Sequence, residues 1–236
     1  MTKLIIENTL IQQLIQQVGP KVSTETGWDL KLESMGYRVV PKDQGYEEIV
    51  QGRFQALDAP VSAQRNLFDR MMEYLIENNV LGAYQPHSQE LLVVRENVDD
   101  SNLEGLSLVL GHELVHRGQH MNHPALFDQV DQTSRDVLQF LGQGNLNFDY
   151  INQKFNEIKS SMTLIESHAT YVTQILKRKY YPNAMIETHF SLPVILFRIL
   201  GITKVSQYVE GIPQVGEAMG RGGIDELFRS TASKSG

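Results

Sequence analysis

The sequence has no cysteine among its 236 residues. This absence excludes disulfide bonds, thiolate metal sites and cysteine nucleophiles. Any transition metal that the chain binds must therefore be held by imidazole nitrogens and carboxylate oxygens.

Long apolar runs and long basic runs are also missing. No segment reaches the roughly 18 apolar residues of a membrane span, so we expect no membrane partner. The formal net charge is −7 and the longest basic run is Lys177–Lys179, so we expect no nucleic-acid partner. The N-terminal apolar residues recur at helical spacing and do not form the continuous core of a signal peptide, so we expect a cytoplasmic protein.

The residues that are present are typical of a globular protein. Hydrophobic residues make up 41% of the chain and charged residues 21%. Because we find no repeat and no convincing linker, we expect a single domain over residues 1–236. Residues 86–230 should form the core around the candidate site, residues 231–236 a frayed tail, and the role of residues 1–85 stays open.

Local patterns in the first half predict two helices and a little sheet. The first helix should end at Gly19 and Pro20, and Pro60 should open a second one that runs to about residue 78. Residues 37–40 are a strand candidate, and Leu91–Val94, a short apolar run rich in β-branched residues, is the best strand in the chain.

A histidine-rich helix should follow that strand. It is predicted from about Asn102 to about His120, with Ser101 and Glu104 as its capping box. Its apolar residues lie nearly all round the axis, so the helix should be buried. Polar side chains that such a helix carries inward need partners.

The rest of the chain is also predicted to be helical. Pro124 should begin a helix toward Gly142. Apolar residues at spacings of four and three over residues 151–176 predict a long helix that Tyr181 and Pro182 end, with short helices beyond it. The predicted fold class is therefore α+β, mostly helical, with a small sheet before the histidine-rich helix.

Residues 112–116 read His-Glu-x-x-His. His112 and His116 lie about 40° apart around a helix axis and about 6 Å along it, so both rings can meet one ion. Imidazole is a good ligand for zinc. Glu113 projects beside the pair, where it can take a proton from a metal-bound water. The spacing predicts two ligands and a general base.

The third ligand is left open by the spacing alone. His120 would lie about 12 Å along the axis from His112, which suits a second-shell or substrate-side group. His123 lies beyond the expected helix end. In the long helix, Glu166 and His168 flank the apolar seam on opposite sides and geometry barely separates them, although the poorly charged surroundings of Glu166 favour it. Glu187 and His189 are further candidates.

Two segments carry a resemblance to a family of bacterial zincin-like metalloproteases. That family has a His-Glu-x-x-His helix and then a long helix reading approximately Leu-Leu-Glu-Gly-His-Ala-x-x-Val. The segments "HELVH" and "LIESHATYV" match in the same order, with Ser167 where the family has glycine. The later segment "ITKVSQYVEG" is similar to the family's Lys-x-x-Gln-Tyr-x-x-Gly. The resemblance covers roughly residues 90 to 230.

The resemblance implies a zincin-like fold of the gluzincin type. It implies one Zn2+ per chain bound by His112, His116 and Glu166, with Glu113 as general base. It also implies a peptide or protein substrate, which could add along the strand Leu91–Val94. The glycine-to-serine difference at Ser167 affects the packing expected of the long helix.

No motif identifies the group that stabilises the oxyanion of a hydrolytic reaction. Zincins often use a tyrosine, histidine or arginine there. The second-shell or substrate-side candidates are His120, His168, Tyr171, His189, Tyr208 and Arg221. The expected function is that of a zinc metallopeptidase. The alternative is a catalytically idle zincin-fold binding or scaffold protein with a structural metal. A third hypothesis is a helical protein whose histidines bind no metal.

Overall fold

The computed structural model describes residues 6–51, 73–74, 77, 80–99, 101–142, 147–185 and 211–234. The helices are α1 (Asn8–Thr26), α2 (Lys42–Tyr46), α3 (Leu103–Asn122), α4 (Pro124–Gly142), α5 (Phe148–Tyr180), α6 (Ile212–Gly220) and α7 (Ile224–Lys234). The strands are β1 (Gly36–Val40), β2 (Gly82–Gln85) and β3 (Glu90–Val94), and single turns cover Leu32–Ser34, Glu47–Gln51 and Arg95–Asn97. The predicted class, α+β and mostly helical, is confirmed within these residues. The helix predicted from Pro60 lies almost entirely outside them.

The first helix is longer than the sequence predicts. α1 continues through Pro20 to Thr26, so the end predicted at Gly19 and Pro20 is wrong. Val22 is fully buried in line with Val18, whereas Pro20 is exposed. Burial of this continuing apolar face outweighs the roughly 3 kcal/mol that a proline costs inside a helix. Gly27 ends the helix with φ 75°, a conformation that glycine adopts without steric cost.

The sheet is small, and β3 lies at its centre. The strand order is β1-β3-β2, with β1 parallel and β2 antiparallel to β3. Every residue of Glu90–Val94 has a partner in β1, and Glu90–Val93 pair with β2 as well. A peptide therefore cannot add along Leu91–Val94, and that prediction is wrong. The residues of β2 are themselves buried.

α3 is the central helix and packs against α1, α5 and β2. Its start differs from the prediction, because Asn102 caps it by accepting the backbone N–H of Gly105 at 2.9 Å. The Ser101 hydroxyl donates to Asp99 at 2.6 Å instead, so the predicted capping box of Ser101 and Glu104 is wrong. The predicted burial on nearly all sides is confirmed.

α5 spans 33 residues and joins two hydrophobic cores. One core contains Ala169, Val172 and Leu176 together with α1, α3 and the sheet. The other contains Phe155 and Ile165 together with Trp28 and the helices α4, α6 and α7. The middle of α5, which carries Glu166, therefore lies where the two cores meet.

The C-terminal segment is helical further than expected. α7 continues to Lys234, so the frayed tail predicted from residue 231 is wrong up to that point. Ser167 is fully buried, and a Cβ atom built on Gly211 would overlap its hydroxyl. The glycine at 211 thus makes room for the side chain of Ser167.

None of the helices in the described part of the chain combines the length and the apolar character that crossing a membrane requires.

Candidate metal centre

The three predicted ligands converge between α3 and α5. The Nε2 atoms of His112 and His116 are 3.2 Å apart. Glu166 places Oε2 at 3.6 Å from His112 Nε2 and Oε1 at 3.7 Å from His116 Nε2. The ligand atoms of all three lie within 4.8 Å of one another.

These separations fit a metal ion. In a tetrahedral site with bonds of about 2.0–2.1 Å, neighbouring ligand atoms are roughly 3.4 Å apart. The distances of 3.2, 3.6 and 3.7 Å bracket that value. The His112 side chain is 20% exposed, against 8% for His116 and 7% for Glu166, so the centre opens to solvent beside His112.

The hydrogen bonds of His116 fix which ring nitrogen carries its proton. His116 Nδ1 is 2.8 Å from Oε1 of Gln119, and Gln119 Nε2 donates to the Ile165 carbonyl at 2.8 Å. Because a carbonyl oxygen only accepts, the Gln119 oxygen must face His116. His116 Nδ1 is therefore protonated, and in the neutral ring Nε2 presents a lone pair to the centre.

His112 is arranged in the same way by a hydroxyl group. The Thr173 hydroxyl donates to the Ala169 carbonyl at 2.7 Å. Its oxygen is 3.2 Å from His112 Nδ1 and can accept a hydrogen bond there. His112 Nε2 is then the unprotonated nitrogen and also faces the centre.

The three ligand atoms are consequently all acceptors. Two imidazole lone pairs and a carboxylate that converge in a buried space repel one another unless a positive charge lies between them. A metal ion supplies that charge. The buried group formed by His112, His116 and Glu166 can therefore hold a metal ion.

Glu113, the predicted general base, is buried beside these ligands. Its Oε2 accepts the backbone N–H of Tyr84 on β2 at 2.8 Å. Burial raises the pKa of Glu113 to about 7, while His116 and the Tyr84 N–H act in the opposite direction. Both protonation states of this carboxyl group are therefore accessible near neutral pH.

His120 lies one turn beyond His116 and is not one of the grouped ligands. Its Nδ1 is 3.0 Å from the Tyr84 hydroxyl, and its ring centroid is 5.2 Å from that of Phe127. Burial lowers the pKa of His120. Tyr84 thus contacts His120 through its hydroxyl and Glu113 through its backbone N–H. Its substrate-side role stays a prediction.

His168 is fully buried behind the centre. Its Nδ1 accepts a hydrogen bond from Gln119 Nε2 at 3.0 Å, and its ring centroid lies 5.1 Å from Trp28 and 5.5 Å from Phe228. Burial lowers the pKa of His168 to about 3, so the ring is neutral. Glu166, and not His168, faces the two histidines, and this separates two residues that sequence geometry left nearly equal.

Two of the remaining candidates, Tyr171 and Arg221, form contacts with other groups. Tyr171 packs against Gly216 of α6, where an added Cβ would lie 3.1 Å from its ring. Arg221 forms an exposed ion pair with Glu217. These contacts give neither side chain a place at the centre. The predicted residues Glu187, His189 and Tyr208 lie outside the described residues.

Sequence reasoning missed the groups that support the ligands. Gln119 lies three residues after His116 and Thr173 seven after Glu166, so helical spacing could have drawn attention to both. The contact of Tyr84 with Glu113 had no signal, since any residue except proline can donate a backbone N–H.

Comparison with known proteins gives no relative for this chain. No protein-family model, no curated protein and no solved structure matches it. A function for the chain therefore has to be inferred from the geometry of the metal centre.

Proposed function

We propose that this protein is a zinc-dependent hydrolase, and specifically a metallopeptidase. The observation that carries the proposal is the convergence of two imidazole nitrogens and one carboxylate at 3.2–3.7 Å, with a second carboxyl group beside them. Two histidines and a glutamate, with an open side, are the ligand set of catalytic zinc sites.

The chain's own residues have separate parts in this mechanism. His112, His116 and Glu166 would hold Zn2+, which when bound supplies a Lewis acid and lowers the pKa of water. Glu113 would accept a proton from the attacking water and pass it to the leaving group. The Tyr84 N–H holds one oxygen of Glu113 in place, and the other oxygen has no hydrogen bond among the described residues.

The substrate class in this proposal is a peptide or protein. The central strand is paired on both sides, so a peptide cannot add along it. Substrate would approach from the side where His112 is exposed. We place the chain in the cytoplasm on its composition alone.

A catalytically idle zincin-fold protein with a structural metal is the second candidate. The observation that favours it is the position of Tyr171 and Arg221, because their contacts with α6 and Glu217 give neither an oxyanion-stabilising role. The two candidates differ in turnover and agree on the metal.

The substitution Glu113→Gln tests the proposed function. We expect about one zinc per chain in the wild type and in the variant, because Glu113 is not a ligand. Peptide hydrolysis should fall by about 100- to 10,000-fold, because the amide cannot accept the proton. Zinc content is measured by elemental analysis of untagged protein, and hydrolysis with a fluorogenic peptide library.

Glu104→Gln, in the first turn of the same helix, is the matched control and should keep wild-type hydrolysis. A wild type that binds no zinc would contradict the metal assignment. Zinc binding without turnover of any peptide would favour the idle protein. Full activity in Glu113→Gln would show that the general base is another group.

A further inference from the structure

Gln119 is a fully buried amide that links the two helices of the metal centre. From α3 it reaches His116 on its own helix and both Ile165 and His168 on α5. The three hydrogen bonds are 2.8, 2.8 and 3.0 Å long. Each polar group of the amide is therefore used.

The direction of these bonds follows from the chemistry of the partners. The Ile165 carbonyl only accepts, so one Gln119 N–H points to it. The second N–H points to His168 Nδ1. Because an amide nitrogen cannot accept a hydrogen bond, Nδ1 is the acceptor and the neutral ring carries its proton on Nε2. The remaining group, the amide oxygen, can only accept the proton on His116 Nδ1.

The position of Ile165 gives this network its significance. Ile165 is the residue immediately before the ligand Glu166, so Gln119 holds the backbone of α5 next to that ligand. The same amide orients the ring of His116, so one side chain sets both the angle of a histidine and its distance from the carboxylate. Partners of this kind, behind metal ligands, orient the rings and fix their tautomers.

We propose that Gln119 is the positioning residue of the metal centre, which holds His116 as the Nδ1–H tautomer and sets the spacing of His116 from Glu166. This proposal rests on the proposed metal site. It also assigns His168 a part as the acceptor that orients Gln119. The position requires two N–H donors and one acceptor, which among side chains of this length only glutamine supplies.

A purely structural role is the competing explanation, since a buried amide between helices also stabilises the fold. The structure supplies a matched control for it. Gln129 on α4 accepts a hydrogen bond from Ser161 of α5 at 3.0 Å, so it also connects two helices but contacts none of the three ligands through this bond. Gln129→Met should lower stability without changing the metal centre.

The experiment compares Gln119→Met with Gln129→Met. In metal-free protein we expect His116 to be the Nδ1–H tautomer in the wild type and in Gln129→Met, and a mixture of tautomers in Gln119→Met, as read from long-range nitrogen–proton spectra of the histidine rings. Zinc affinity, measured by competition with a chromogenic chelator, should be about 10- to 100-fold weaker in Gln119→Met and unchanged in Gln129→Met.

Gln119→Glu provides a second variant of nearly the same shape. A carboxylate still accepts the His116 proton but cannot donate to Ile165, so the Nδ1–H tautomer should persist while zinc binding weakens. Wild-type tautomer and zinc affinity in Gln119→Met would overturn the proposal, as would loss of the tautomer in Gln119→Glu. If the wild type bound no zinc, the proposed function would fail, and the metal-free spectra would still decide the role of Gln119.

Discussion

Two histidine–carboxylate clusters lie on or next to α3, and they differ in how their protons are distributed. At the end of the helix, His123 Nε2 donates to Asp225 at 2.9 Å. At the metal centre, Glu166 is 3.6 and 3.7 Å from the nearest histidine nitrogens. The first distance is a direct hydrogen bond, whereas the other two leave room for an ion between the groups.

The surroundings of the His123 cluster complete it without a metal. The Trp28 indole also donates to Asp225 at 3.2 Å, and the His123 ring stacks on Phe228 at 4.6 Å. At the metal centre, Gln119 and Thr173 accept hydrogen bonds from the Nδ1 atoms of His116 and His112, so that only hydrogen-bond acceptors face the centre. A histidine close to a carboxylate therefore does not by itself indicate a metal site; here it is the convergence of three possible ligand atoms within 4.8 Å that could hold a metal ion.

The largest effect that separates the clusters should be on metal affinity. We expect His116→Ala and Glu166→Ala to weaken zinc binding by more than about 100-fold. Each removes a direct ligand, and changes to residues that only hydrogen-bond to ligands already cost about 10- to 100-fold. Asp225→Ala should retain the wild-type affinity, because Asp225 already serves as the acceptor of His123 and Trp28. Competition with a chromogenic chelator measures all three.

Loss of zinc binding in Asp225→Ala as well as in the ligand variants would contradict the distinction between the two clusters. Circular dichroism of each metal-free variant separates a lost ligand from a lost fold. If Glu166→Ala alone kept full zinc affinity, the third ligand would have to be sought elsewhere, and Glu187 and His189 are the predicted candidates outside the described residues.

The candidate metal ligands were more predictable from the sequence than the residues that form hydrogen bonds with them. The four-residue spacing of His112 and His116 forces a shared helix face, and the strand before them was placed to within a residue. Glu166 was preferred over His168 on its surroundings and on resemblance. The distinction between Glu166 and His168 depends on how α5 packs. This packing places His168 against Trp28, a residue far away in sequence.

The sequence predictions that were wrong share a physical cause. They used local sequence patterns, which contain no information on tertiary packing. Pro20 was expected to end α1, but the buried face beyond it holds the helix together. Arg117 drew no attention in the sequence, yet it is fully buried and donates to the carbonyls of Leu30 and Lys31 at 2.7 and 2.9 Å. Such contacts join residues more than 80 positions apart.

For the stability of the metal-free protein, substitutions in the His123 cluster should have larger effects than substitutions at the metal centre, which is the reverse of the order expected for metal affinity. We expect His123→Ala to lower the free energy of unfolding by about 1–3 kcal/mol, because it leaves the Asp225 pairing and the Phe228 stack unmade. His112→Ala should change metal-free stability by less than about 1 kcal/mol, since that ring is partly exposed and its Nε2 faces other acceptors. Urea unfolding in EDTA measures both.

Added zinc provides the second half of that comparison. At a free zinc concentration of about 100 times the dissociation constant, stability should rise by about 2.7 kcal/mol in the wild type and in His123→Ala. His112→Ala should gain much less. A zinc-independent wild type, or a metal-free His112→Ala as destabilised as His123→Ala, would contradict the division between a metal centre and a structural cluster.

The smallest effect concerns the pH dependence of the His123 cluster. Burial lowers the pKa of His123, Arg229 acts in the same direction, and the hydrogen bond and charge of Asp225 oppose them. His168, whose pKa is about 3, packs against the same Phe228. Because both folded-state pKa values lie below the unfolded value of about 6.5, the unfolded chain binds more protons as the pH falls below that value. Stability is therefore full above about pH 6.5 and decreases below it.

His123→Gln isolates the contribution of one of these groups. Glutamine can still donate to Asp225 but does not titrate, so the loss of stability between about pH 6.5 and 5.5 should become shallower by up to about 1.4 kcal/mol per pH unit. The remaining slope should come largely from His168. Urea unfolding of EDTA-treated protein at the two pH values measures the difference. An unchanged dependence of stability on pH would mean that His123 keeps its ordinary pKa in the folded protein. The hydrogen bond to Asp225 would then offset the cost of burying the charge of His123.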